Sequence, residues 1–151
     1  MSDIVWAINP KRDNLQDLVH RMRHFAMDTL TAQEIDFDFI APDGLPETKI
    51  ETDMRREVFL IFKEAVNNAI RHSRGSHIEI ELSFDNGALQ LAVKDNGIGF
   101  DTTIDPRRHG LSSLRQRAER IGGALHIVST PGRGTEVNLQ APLKTQRRNL
   151  F

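Results

Sequence analysis

The sequence contains no cysteine, and this absence excludes a disulfide framework, a thiolate nucleophile and a cysteine zinc site. It has no apolar run near the ~20 residues that span a bilayer, and its first residues lack the pattern of a signal peptide. Neither sign of charge is in large excess, because the sequence has 20 Lys and Arg and 21 Asp and Glu. No global electrostatic field therefore favours binding to nucleic acid or to an anionic membrane. From 151 residues we expect one soluble, cytoplasmic core domain, in which anion binding depends on a local site.

Hydrophobic periodicity and turn residues predict the element order α, β, α, ββ, loop, α, ββ. The predicted segments are a helix over 15–30, a strand over 35–41, a helix from Asp53 to about His72, a hairpin over 77–95 with the turn DNG, a helix over 111–123 and a hairpin over 124–142 with the turn PGRG. Three helices on one face of a mixed, mostly antiparallel sheet make an α+β fold, a two-layer α/β sandwich. The loop TTIDPRRHG over 102–110 has no periodicity and is predicted to be mobile.

The long predicted helix places four polar residues on one face, Glu64, Asn68, Arg71 and His72, at i, i+4, i+7 and i+8. A charged helix face is most often solvated surface. This face instead combines a carboxylate, a carboxamide, a guanidinium and an imidazole, which supply oxygen ligands for Mg²⁺ and donors for anionic oxygens. The combination favours a magnesium phosphate site.

Three glycine corners follow this helix in the sequence. They are DNGIG over 95–99, HGLSS over 109–113 and PGRGT over 131–135. The second leads directly into a predicted helix, whose first N–H groups can bind phosphate oxygens. The phosphate loop G-x-x-x-x-G-K-[ST] and the third glycine of a dinucleotide fold are both missing. A phosphate site at these corners must therefore be of another kind, and DNG alone fits an ordinary hairpin turn.

In chain order, the stretches FKEAVNNAIRHS, DNGIGF, HGLSSLRQRAERIGG and GRGTEV resemble the N, G1, G2 and G3 boxes of the ATPases that unite gyrase, Hsp90, histidine kinase and MutL. The resemblance covers residues 53–141, with the boxes in matching order and spacing. E-x-x-x-N followed by R-H-S is most similar to the catalytic and ATP-binding domain of two-component sensor histidine kinases of the nitrate-sensor and DesK-like type. The resemblance implies a Bergerat-type fold that takes ATP and Mg²⁺.

By this resemblance, the G1 and G3 boxes bind the adenine base. Asp95 would accept a hydrogen bond from the exocyclic amine, while Gly97 and Gly99 let the backbone pass close to the base. Thr135 would help to hold the adenine, and it follows the glycines of the G3 box, Gly132 and Gly134. A carboxylate at this place discriminates against guanine, which presents a carbonyl oxygen there instead of an amine.

The N box would handle the metal and the phosphates. Asn68 is similar to the Mg²⁺ ligand of the family, and Arg71 and His72 match the basic pair that contacts phosphates. Glu64, one turn before Asn68, would position water or the metal shell. Whether Glu64 also acts as a general base stays open, because the acceptor histidine of these kinases has its own acidic neighbour.

The G2 box would face the phosphates of ATP. Gly110 and Leu111 begin a helix whose N-terminus is expected to point at the β- and γ-phosphates. The preceding segment over 101–109 corresponds to the ATP lid of the family. We expect this lid to be disordered when no nucleotide is bound.

The resemblance also predicts the organisation of the chain. Residues 1–30 correspond to the end of a dimerisation helix and a connecting helix, since DIVWAINP resembles the stretch that joins the two domains of these kinases. Residues 31–143 are expected to form the ATP-binding catalytic domain. Residues 144–151 are polar and basic and are predicted to form a disordered tail.

No histidine fits the phosphoacceptor of such a kinase, which is followed directly by an acidic residue. His20 precedes Arg21 and His24 precedes Phe25. We therefore expect a monomeric fragment of a homodimeric kinase, with the parent either soluble or anchored in the inner membrane. Its expected activity is to bind Mg-ATP and to donate the γ-phosphoryl group to a histidine of the absent dimerisation domain. The expected partners are that domain and a cognate response regulator, and nucleic acid is not among them.

Two other functions remain as alternatives. A stand-alone anti-sigma-type kinase of the same fold would phosphorylate serine on a partner protein, but the DIVWAINP segment and the helix before the first strand count against it. A non-catalytic adenine-nucleotide sensor or docking module would have lost the transfer chemistry. The joint presence of Glu64, Asn68 and Asp95 counts against such a loss.

Overall fold

The computed structural model describes residues 14–43, 50–102 and 111–143. The expectations for the N-terminal segment, for most of the lid, for Gly110 and for the C-terminal tail lie outside these residues.

The first described element is helix α1, Leu15–Ala32. It begins at Asn14, whose side-chain Oδ1 accepts a hydrogen bond of 2.8 Å from the backbone N–H of Asp17, as in an ordinary N-cap. Its apolar positions recur every three to four residues and are buried: Leu15, Leu18, Val19, Met22, Ala26 and Leu30. The predicted helix is confirmed and extends two residues beyond Leu30.

In the part of the chain that the structure describes, five strands form one mixed sheet in the order β1-β2-β3-β5-β4. The strands are β1 Asp36–Ile40, β2 His77–Asp85, β3 Ala88–Asp95, β4 Ala124–Ser129 and β5 Thr135–Pro142. β1 is parallel to β2, and all other neighbours are antiparallel. The mixed, mostly antiparallel sheet predicted from the sequence is therefore confirmed.

The turn between β2 and β3 confirms the hairpin expected at DNG. Asn86 and Gly87 have φ values of 52° and 76°, so both central residues lie in the left-handed region. A two-residue turn with positive φ at both positions matches the right-handed twist of the strands, and Asn-Gly adopts it at low cost.

Helix α2, Thr52–Asn68, is continued by a π-helical turn, Ala69–Ser73, which ends at Arg74 with φ 54°. Together, the α-helix and the π-helical turn agree with the helix predicted from Asp53 to about His72. The wider turn was not predicted, because a single π-helical turn at the end of an α-helix is too short to leave a periodicity of its own in the sequence. It changes the phase of the last residues relative to the rest of α2.

The helices pack on one face of the sheet and enclose the core. β2 turns Ile78, Ile80 and Leu82 inward, whereas its alternate residues lie on the opposite, more polar face. The third helix, α3, spans Leu111–Arg120 and buries three apolar residues on the same side. Aromatic rings join α1 to α2, with the centroid of Phe25 lying 5.8 Å from that of Phe62 in an edge-to-face contact.

Candidate functional site

A cavity of about 220 Å³ opens where the end of α2, the start of α3 and the ends of β3 and β5 meet. Its lining residues are Ala65, Asn68, Ala69, His72, Val93, Asp95, Ile98, Gly99, Phe100, Leu111, Thr135 and Val137. The wall is mostly apolar, with a few polar groups at defined places, as is typical of a small-molecule site. The cavity brings together residues from all four predicted boxes.

Asp95 is the buried acidic residue of this cavity, at the end of β3. Its Oδ1 accepts hydrogen bonds from the backbone N–H of Gly97 at 2.9 Å and from that of Thr135 at 3.3 Å. Both bonds use the same oxygen, so Oδ2 remains for a donor in the cavity. Desolvation raises the pKa of Asp95, and the two backbone hydrogen bonds oppose that rise. The site therefore holds a carboxylate that is incompletely compensated by the protein.

Beside Asp95, glycines of the G1 and G3 boxes lie where the two stretches pack backbone against backbone. Gly99 and Gly134 have φ values of 63° and 80°, and a Cβ on either would collide with backbone, the carbonyl of Thr130 or that of Asp95 respectively. The backbone N–H of Gly132 donates a 2.6 Å hydrogen bond to the carbonyl of Ile98. This close backbone packing is the physical reason for glycine at positions 99 and 134.

At the end of α2, Asn68 and His72 line the cavity. The Oδ1 of Asn68 accepts a 2.9 Å hydrogen bond from Nη2 of Arg71, which directs this exposed guanidinium along the helix. The predicted polar face is therefore only partly directed at the cavity. Of the described residues predicted for the site, Asn68, His72, Asp95, Gly99, Leu111 and Thr135 line it, whereas Glu64, Arg71, Gly97, Gly132 and Gly134 do not.

Residues 54–145 match the family described as histidine kinase-, DNA gyrase B-, and HSP90-like ATPase. The chain belongs to this family. The sensor protein VraS of Staphylococcus saprophyticus is 37% identical over 107 residues, which are 70% of this chain and 30% of VraS. The sensor histidine kinase LiaS of Bacillus subtilis is 33% identical over 112 residues, which are 74% of this chain and 30% of LiaS. The homologues are sensor histidine kinases, and the domain is of their catalytic ATPase type.

The histidine kinase domain of the blue-light activated kinase of Erythrobacter litoralis EL346 has the same fold. The TM-score is 0.70 at 23% identity, and the match covers 83% of this chain and 61% of that one. The chain spans less than a third of the length of VraS or LiaS. Within the described ranges, no helix has the length and apolarity needed to cross a membrane.

In this ATPase-family domain, Glu64 of the N box faces helix α3. Its Oε2 lies 3.6 Å from Nε of Arg117, and neither of these two buried atoms has a hydrogen bond. Arg117 also donates a 3.1 Å hydrogen bond from Nη1 to Oε2 of Glu57, a residue with only 3% of its surface exposed. Arg117 thus ties two carboxylates of α2 to the helix that begins at Leu111, on the wall of the cavity.

Glu57 and Arg117 were not singled out from the sequence. Two further guanidinium groups surround the Glu57 carboxylate, those of Arg56 at 3.7 Å and Arg120 at 3.9 Å. One available signal was Glu57 itself, which lies three residues after Met54 and four before Ile61 and so shares their apolar face of α2, where a buried charge requires partners. Arg117 and Arg120 lie 60 and more positions later in the chain, so no local pattern identifies them.

Replacing Arg117 with Met should lower the free energy of unfolding by about 1–2 kcal/mol, which is less than for breaking an isolated buried pair because two arginines remain near Glu57. Urea denaturation followed by circular dichroism measures this value. Arg120→Met is the matched control on the same helix. Its side chain is 62% exposed and 3.9 Å from Glu57, so a change below about 0.5 kcal/mol is expected. Equal losses for the two variants would contradict this assignment.

The apolar walls of the cavity were also missing from the predicted site. Val93 and Val137 are inward-facing residues of β3 and β5, and Ile98 and Phe100 belong to the G1 stretch itself. Alternation along a strand predicts which residues face the helices. It does not predict which of those inward positions border an opening, because this depends on where the helices stop.

The donor set near Asn68 is compatible with magnesium held jointly with phosphate. No cluster of three His, Asp or Glu side chains suited to a metal occurs among the described residues. Mg²⁺ usually keeps several waters and uses one or two protein oxygens together with substrate phosphates. The amide oxygen of Asn68, which accepts from Arg71, is the protein oxygen that would ligate the metal.

Proposed function

We propose that this domain binds Mg-ATP in the cavity and donates the γ-phosphoryl group to a histidine of a kinase dimerisation domain. The observation that carries the proposal is the Asp95 carboxylate, with one oxygen fixed by backbone N–H groups and the other available in an apolar cavity. An amine on a flat apolar ring fits that combination, because the amine supplies the missing donor and the ring fills the cavity. Adenine is such a ring.

The remaining residues are then assigned to the triphosphate. His72, with Arg71 beside it, would lie near the phosphate oxygens and offset the charge that builds up during transfer. The N–H groups at the N-terminus of α3, which begins at Leu111, would face the β- and γ-phosphates, and we assign Gly110 to the same role. Asn68 would hold Mg²⁺, which neutralises phosphate charge when bound. Glu64 would act by positioning, since it lies against Arg117 and is not part of the cavity wall.

In the transfer step, a neutral imidazole nitrogen of the acceptor histidine attacks the γ-phosphorus. The bond from that phosphorus to the bridging oxygen breaks, and ADP leaves with the bonding electron pair. This domain contributes alignment and charge stabilisation, so without the acceptor we expect only slow hydrolysis by water. The partners of the proposal are therefore the dimerisation domain and the response regulator that receives the phosphoryl group. ATP is held inside cells, which would place the domain in the cytoplasm.

Calorimetric titration with AMPPNP tests the binding half of the proposal. Binding is expected to strengthen at least 10-fold when Mg²⁺ is added, because the metal links Asn68 to the phosphates. GMPPNP, the matched control, should bind at least 100-fold more weakly, because its carbonyl faces the Asp95 carboxylate. Tight binding without any effect of Mg²⁺ would favour a nucleotide sensor without transfer chemistry. Absence of binding at millimolar AMPPNP would refute the proposal.

A further inference from the structure

Ser129, the last residue of β4, lies behind the cavity wall and joins two of its parts. Its hydroxyl oxygen accepts a 2.8 Å hydrogen bond from the backbone N–H of Phe100. The same oxygen is 2.8 Å from Oγ1 of Thr135 and 3.2 Å from the carbonyl oxygen of Gly134. Ser129 does not line the cavity, whereas Phe100 and Thr135 both do.

The hydroxyl of Ser129 has a single proton, so its contacts with Gly134 and Thr135 permit two hydrogen-bond arrangements. A serine hydroxyl donates one hydrogen bond and accepts two, and the N–H of Phe100 already occupies one lone pair. If Ser129 donates to the carbonyl of Gly134, then Thr135 must donate to Ser129, and it offers only lone pairs to the cavity. If Ser129 instead donates to Thr135, the proton of Thr135 is released towards the cavity.

We propose that Ser129 is a positioning residue that sets whether Thr135 donates or accepts towards the bound base. The inference rests on the proposed function, in which the base is adenine. Next to its amine, adenine presents the ring nitrogen N1, which accepts hydrogen bonds and never donates at neutral pH. Asp95 satisfies the amine but can only accept, so N1 requires a donor. The arrangement in which Ser129 donates to Thr135 supplies that donor, either directly or through one water.

Recognition of adenine would then have two separate parts, one for the amine and one for N1. Asp95 reads the amine, and the pair of Ser129 and Thr135 reads N1. Loss of the Ser129 hydroxyl leaves Thr135 without its fixed partner, so its hydroxyl becomes free to rotate and the preference for N1 weakens. The amine contact at Asp95 is held by separate backbone bonds and should be unaffected.

Three triphosphates test this separation in titrations of the wild type and Ser129→Ala: ATP, 1-deaza-ATP, which lacks N1, and purine riboside triphosphate, which lacks the amine. The wild type should prefer ATP over 1-deaza-ATP by about 10-fold, the usual worth of one hydrogen bond. In Ser129→Ala this preference should fall to about 2-fold or less, while the preference for ATP over purine riboside triphosphate stays unchanged.

Two further variants serve as controls. Ser129→Thr keeps the hydroxyl and suits a strand, so it should retain the wild-type preference for ATP over 1-deaza-ATP. Ser83→Ala removes a serine hydroxyl from β2 on the other face of the sheet and should leave all three affinities unchanged. If Ser129→Ala weakens all three ligands by one common factor, Ser129 is only structural and the inference is wrong. If the wild type binds no ATP, the proposed function itself fails, a result distinct from the first.

Discussion

Replacing Asp95 with Asn should weaken ATP binding by about 100-fold or more while making the nucleotide-free domain more stable. The Oδ1 of Asn can still accept from the N–H groups of Gly97 and Thr135, so its amide nitrogen takes the place of Oδ2. Two donors then face each other at the amine of adenine, and the charge-assisted hydrogen bond is lost. Calorimetric titration gives the affinity, and thermal unfolding gives the stability. A matched control is Asp85→Asn, at the exposed end of β2.

The stability gain follows from the sign of the pKa shift. Burial raises the pKa of Asp95 in the folded protein above its unfolded value, so ionisation costs more in the folded state. The contribution of Asp95 to stability is thus fully present below the unfolded pKa and is lost as the pH rises through the folded pKa. Asn cannot ionise, so the variant should lack this pH dependence. A variant less stable than the wild type at neutral pH would contradict the assigned role of desolvation.

The same carboxyl group should make adenine binding depend on pH. Because the amine of adenine donates to the ionised form, affinity is expected to fall as the pH drops through the raised pKa of Asp95. Adenosine is the suitable probe, since it has no phosphate that titrates. The weakening at low pH should disappear in Asp95→Asn. An equal decline in both proteins would assign the titration to another group.

The outline of the fold was predictable because its signals are local. The Asn86-Gly87 turn, the alternation of β2 and β3 and the spacing of apolar residues in α1 each depend on neighbours within a few positions. The candidate site could be predicted from the sequence for a different reason. Close backbone packing requires glycine at positions 99 and 134, and glycines in polar turns stand out in the sequence.

What could not be predicted depends on contacts that the local sequence pattern does not show. Arg71 donates to Asn68 and does not line the cavity, although the α-helical period placed both residues on the face predicted for the site. The pairing of Glu57 with Arg117 joins two helices that are separated in the chain by β2 and β3. Ser129 is the last residue of a strand, and nothing in the local sequence indicates that its hydroxyl contacts Phe100 and Thr135.

The second large effect is expected from replacing Gly134 with Ala. At φ 80° an alanine costs about 1–2 kcal/mol of conformational strain. Its Cβ would also collide with the carbonyl oxygen of Asp95, which belongs to the backbone and cannot rotate away. Asp95 and the N–H of Thr135 that holds it must therefore move apart. We expect a loss of at least about 3 kcal/mol of folding free energy and a loss of ATP binding of about 100-fold or more.

Gly132→Ala separates the collision from the conformational strain, because Gly132 lies in the same turn with φ 83° and no atom near the position of a Cβ. Its backbone N–H would still bond to the carbonyl of Ile98. This variant should lose only about 1–2 kcal/mol of stability and keep ATP affinity within about 3-fold. Urea denaturation and AMPPNP titration of both variants give the comparison. Similar losses of binding in the two would mean that flexibility of the turn, and not its packing against Asp95, shapes the site.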